Sequence, residues 1–89
     1  MKTDKLFQVV KQQIDALDLF GLLDGGAPKD EFDMESAMVV ARLRKGMTSL
    51  SIAKIIAQVM NEQFDGHFKD NEFIDYAERI EKVLNGTEL

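Results

Sequence analysis

A chain of 89 residues, 45% of them apolar and 30% charged, is expected to hold one hydrophobic core, which excludes a second domain and a disordered chain. No apolar run approaches the roughly 20 residues that cross a bilayer, and cysteine is absent, which removes disulfides, thiolate metal sites and a cysteine nucleophile together. The net charge of −5 and a sequence pI near 4.7 repel phosphate backbones and anionic membranes and favour a basic partner, although solubility alone accounts for acidity in many small proteins.

The amino terminus turns polar again at Gln8, Lys11, Gln12 and Gln13 before a secretory core could form, so a cytoplasmic protein is expected. Leu6, Val9, Val10, Ile14 and Leu17 recur at helical spacing and predict a first helix from a Thr3 cap to about Asp18, with Phe7 widening the stripe. The stretch Leu19 to Lys29 breaks this period. It carries Gly21, Gly25, Gly26 and Pro28, yet Leu19, Phe20, Leu22 and Leu23 are too apolar for a free loop, so it is expected to tuck onto the core or to meet another chain.

A second helix is expected to start between Asp30 and Asp33 and to reach about Lys45, closed by Gly46, with Phe32, Ser36, Val39, Val40 and Leu43 inward. Its acids sit at the amino end and Arg42, Arg44 and Lys45 at the carboxyl end, as the helix macrodipole favours. A third helix follows a Thr48 or Ser49 cap and bears the strongest apolar pattern, Ile52, Ile55, Ile56, Val59, Met60 and Phe64, before Asp65-Gly66 ends it. A fourth, capped by Asp70 or Asn71 and lasting to about Asn85, turns Phe73, Ile74, Ala77, Ile80 and Leu84 inward. Tyr76 and Val83 flank that stripe, and Asp75 with Arg79 and Glu78 with Lys82 are spaced as ion pairs. These elements predict an all-α fold, a small four-helix antiparallel bundle over residues 1–89 with a long, partly apolar loop between helices 1 and 2.

The acids concentrate. From Asp15 to Glu35, Asp15, Asp18, Asp24, Asp30, Glu31, Asp33 and Glu35 face the single base Lys29, so the charge of the whole chain resides in this segment. Four acids around the start of helix 2 exceed what one cap needs, and Glu31 and Glu35 repel each other at i,i+4. A calcium loop read from Asp24 places Lys29 at the sixth position, where glycine is essential, and one read from Asp18 places Leu22 and Leu23 among the ligands. His67, the only histidine, lies in a joint with no second histidine or cysteine to complete a site, so an exposed or packing role is expected. No Ser, His and Asp arrangement, phosphate-binding glycine loop or zinc spacing is present.

Arg42 to Lys54 holds four bases and no acid around the Gly46 turn, the layout of a helix-turn-helix, but its second helix offers only Ser51, Lys54 and Gln58 outward among Ile, Ala and Val. That is core composition. Met34, Met38, Met47 and Met60 suit either core gaps or an adaptable groove; Met34 and Met38, displaced from the inward stripe, face a partner in the second case.

The run from Ile14 through Leu43, with Asp18, Phe20, Gly21-Leu22-Leu23, Gly26-Ala27-Pro28 and Asp30-Glu31-Phe32-Asp33-Met34-Glu35, resembles the YugE-like family of small bacterial helical proteins of unassigned function, and Phe64-Asp65-Gly66 fits the same pattern. Leu19 departs from it where proline is expected, and Phe32 where tyrosine is common. The resemblance implies an all-helical fold and a bacterial cytoplasmic origin, and brings no activity.

Together these readings predict a non-enzymatic protein without cofactor, metal, nucleic acid or membrane, which binds a protein partner in the manner of an inhibitor or immunity protein. Asp24, Asp30, Glu31, Asp33 and Glu35 would steer a basic partner and Phe20 and Phe32 would anchor it. The alternative is a small-ligand or divalent-cation module using the same acids. A homo-oligomer stays open.

Overall fold

The computed structural model describes residues 2–18, 25–26 and 31–86, with side chains from residue 5 onward. Within them lie four helices and no strand: α1 (Lys2–Leu17), α2 (Asp33–Arg42), α3 (Ser49–Phe64) and α4 (Ile74–Leu84), the last entered through a 3₁₀ turn at Asp70–Phe73. None is long and apolar enough to cross a membrane. Contacts close a circuit, α1 on α2, α2 on α3, α3 on α4 and α4 back on α1. Phe20, Asp24 and Asp30, and with them the long loop after α1, lie outside the described residues.

The core is the set of stripes that helical spacing predicts. Val10 and Ile14 from α1, Phe32, Val39 and Leu43 from around α2, Ile52, Ile56, Val59 and Met60 from α3, and Phe73, Ala77 and Ile80 from α4 and its entry are all buried. Ala53 and Ala57, one turn apart on α3, join them; small side chains at a helix contact shorten the distance between axes. Leu6, Val9, Leu17, Ile55, Phe64, Ile74 and Leu84 pack around the edge.

The helix ends depart from expectation in instructive ways. α1 begins at Lys2, so Thr3 stands inside the first turn and not before it. α2 stops at Arg42, three residues short of Lys45, because Leu43 turns extended (φ −77°, ψ 146°) to bury its side chain. The open carbonyls of that end are then served by Arg44, whose guanidinium donates to Leu43 O at 2.8 Å and Ala41 O at 3.3 Å. Thr48 caps α3 as expected, its hydroxyl accepting from Ser51 N–H at 3.2 Å.

At the far end of α3 the left-handed residue is Asp65 (φ 54°), not the glycine beside it. Gly66 serves a different need: a Cβ there would lie 2.5 Å from Phe68 Cε2, so a side chain would displace the ring from the place where it meets Phe73, 5.9 Å away between centroids. Asn61 holds the same loop, accepting from Phe68 N–H at 2.7 Å and donating to Phe68 O at 3.1 Å. Asn61→Ala is expected to strand both partly buried groups, at a cost of ~1–3 kcal/mol measurable as a lower urea midpoint.

The cap of the last helical segment is also corrected. Glu72, not Asp70 or Asn71, closes it, its carboxylate accepting from Lys69 N–H at 2.8 Å. Arg79 turns away from Asp75 toward α1, donating to Gln13 Oε1 at 3.2 Å with its guanidinium 5.7 Å from the Tyr76 ring. A charge–neutral hydrogen bond that ties two helices thus replaces an ion pair within one.

Candidate functional site

The start of α2 decides which acids can meet another molecule. With Asp33 as the first helical residue, Glu35 falls three positions after Phe32 and four before Val39, on the inward face. Its side chain is 6% exposed, and Oε1 is buried without a hydrogen-bond partner among the described residues. Glu35 is therefore withdrawn from the set of steering residues. Its place in the first turn, near the positive end of the helix dipole, offsets part of the cost of holding a carboxylate there.

Phe32 is likewise corrected as an anchor. It is 0% exposed and meets Phe64 edge-on, with centroids 6.2 Å apart and planes at 72°. The ring is core, as its position on the inward stripe implies, and presents nothing to a partner. Its carbonyl accepts from both the amide and the hydroxyl of Ser36, each at 2.9 Å, and no side chain caps the helix start.

Asp33 is engaged inside the chain. Lys11 Nζ lies 2.6 Å from Asp33 Oδ1 and 3.0 Å from Asp15 Oδ2, so one lysine of α1 joins two members of the acidic run and ties α1 to the first turn of α2. Of the site residues expected from sequence, Glu31 is the one that the described structure leaves exposed. Three residues on, Met34 is 66% exposed, while Met38, one turn further along α2, is half-buried and packs against the core. The surface at the start of α2 is thus an acid next to an exposed thioether.

Lys11 is the neighbour of these acids that sequence reading missed. Its i,i+4 spacing with Asp15 is visible in the chain, but its reach to Asp33 depends on the packing of α1 against α2. The hydrogen bond to Asp33, reinforced by Asp15 and opposed by burial, raises the lysine above its ordinary value of 10.5. A proton held more tightly in the folded than in the unfolded chain stabilises the fold below the unfolded value and ceases to do so as pH climbs through the folded one. The urea midpoint of the wild type is therefore expected to exceed that of Lys11→Met by a constant margin at neutral pH, worth ~0.2–1 kcal/mol for a half-exposed pair. The margin is expected to close above about pH 10.5.

Two of the four bases from Arg42 to Lys54 are engaged within the fold. Arg42 pairs with Glu62 of α3 at 3.0 Å and Arg44 serves helix carbonyls, while Lys45 and Lys54 remain exposed. His67 is exposed. Among the described residues no group of three or more histidines and carboxylates is arranged to hold a metal ion. No protein-family model matches the chain, and neither a curated protein nor a solved structure matches it.

Proposed function

We propose that this protein is a non-enzymatic binding module, a cytoplasmic member of the YugE-like family built as an antiparallel bundle, which takes a basic protein partner on the outer side of α2. The observation that carries this is Met34, a large apolar side chain 66% exposed, three residues after the exposed Glu31. A thioether repacks against a partner at low cost, and adjacent acid speeds encounter with a cationic surface. The Lys11 bridge and the buried Phe32 hold the first turn of α2 in place, which lowers the ordering cost of binding. The comparison with inhibitors and immunity proteins is one of charge and size only.

The test is retention of proteins from an extract of the source cell on immobilised wild type, Met34→Asp and Glu31→Lys, each shown to be folded by circular dichroism. A basic protein held in stoichiometric amount by the wild type, released by salt and lost from both variants, is the expected result. Equal retention on all three, or a stoichiometric heat with calcium, magnesium or manganese, would overturn the proposal.

A further inference from the structure

The carboxyl end of α4 is fastened to the turn between α2 and α3 by one side chain. Asn85 Oδ1 accepts from Gly46 N–H at 2.6 Å and Asn85 Nδ2 donates to Met47 O at 3.1 Å, joining segments 39 and 38 positions apart. Both functional atoms of the amide are used. Of the three asparagines, Asn61, Asn71 and Asn85, this one alone precedes glycine. Gly86 closes the helix with φ +74°, a conformation that side chains disfavour. The residue that the helix end requires is thus also the one that leaves its own amide nitrogen unshielded beside the Asn85 side chain.

We propose that Asn85 is a deamidation site gated by the fold, so that opening of the α4 fastener is recorded as an irreversible change of charge. In the reaction the backbone nitrogen of Gly86 attacks Cγ of Asn85 and gives up its proton. The new C–N bond closes a five-membered succinimide, and the Cγ–Nδ2 bond breaks to release ammonia. Water then opens either carbonyl of the ring, leaving aspartate or isoaspartate.

In the closed state both reactants are engaged: Gly86 N–H donates to Val83 O at 3.2 Å, and the departing Nδ2 is held on Met47 O. The ring forms only when the last turn of α4 lets go. The product does not refasten, because aspartate keeps an acceptor for Gly46 N–H but brings an anionic oxygen, with no proton to donate, against the Met47 carbonyl. Isoaspartate adds a methylene to the main chain and displaces the carboxylate as well.

The experiment incubates the full wild-type chain in mildly alkaline buffer, with and without denaturing urea, and follows each asparagine by peptide mass spectrometry. Asn85 is expected to gain the deamidation mass at least about tenfold faster in urea, since local opening limits the folded chain, while Asn61 and Asn71 keep their amides. Asn85→Asp, made directly, is expected to melt roughly 4–8 °C below the wild type. Equal rates with and without urea, conversion of Asn61 or Asn71 as fast as Asn85, or an Asn85→Asp protein that melts with the wild type would each overturn the proposal. The rate comparison uses the wild type alone and stands even where the variant fails to fold.

Discussion

Ile56→Asp is expected to abolish the fold. Ile56 is 1% exposed in the middle of α3, the helix that contributes most to the core, and among the described residues no base is buried around it. An unpaired carboxylate there costs several kcal/mol, against a total stability of about 5–15 kcal/mol for a domain of this kind. Far-UV circular dichroism should lose its helical signal in buffer alone. Ile56→Val, which removes one methylene at the same site, should keep that signal and lower the urea midpoint by only ~0.5–1.5 kcal/mol. A helical, cooperatively melting Ile56→Asp protein would mean that α3 does not form the centre of the core.

The second large effect is expected at Phe32, where the roles of core and anchor make opposite forecasts. Truncating a wholly buried ring that meets Phe64 edge-on should cost ~3–5 kcal/mol. Met34→Ala, two residues on but 66% exposed, should move stability by no more than about 0.5 kcal/mol. Urea titrations of the two variants side by side supply the comparison. Were Phe32→Ala as stable as Met34→Ala, the ring would be available to a partner after all, and the placement of α2 would be wrong. If instead Phe32→Ala is strongly destabilised and Met34→Ala is not, any loss of partner binding in the latter belongs to the surface and not to folding.

The contrast between these two residues shows how the acidic segment is organised. Phe32, Glu35, Ser36 and Val39 turn inward, while Glu31, Met34 and Met38 keep partial or full access to water. The three acids at the start of α2 are therefore divided: Glu35 is buried, Asp33 is held by Lys11 and Glu31 is exposed. On the proposed function, the exposed Glu31 is, of these three, the one free of the helix packing to steer a partner. Asp33, through Lys11, ties the first turn of α2 to α1.

Helix existence and inward stripes were legible without any structure, because burial of one face repeats every three or four residues whatever the helix packs against. Ile52, Ile56, Val59 and Met60, and likewise Phe73, Ala77 and Ile80, sit in the core where that spacing puts them. The Thr48 cap was legible for a similar reason, since a hydroxyl one residue before a helix has an amide within reach. The inward place of Glu35 was implied by the same period but masked by its charge, which draws attention to its neighbours Asp33 and Glu31.

What the chain order could not express are contacts between residues far apart in sequence. Lys11 finds Asp33, Arg42 finds Glu62, Arg79 finds Gln13 and Asn85 finds the Gly46–Met47 turn only once the helices have docked. Each of these contacts changed an expectation or supplied one that was missing. Local spacing determined that this protein is four amphipathic helices with an acidic segment among them, since those features depend on neighbours along the chain. Which acids are paired and which stay exposed was decided by the tertiary structure, because a side chain's partner is set by the angle and depth at which a second helix arrives.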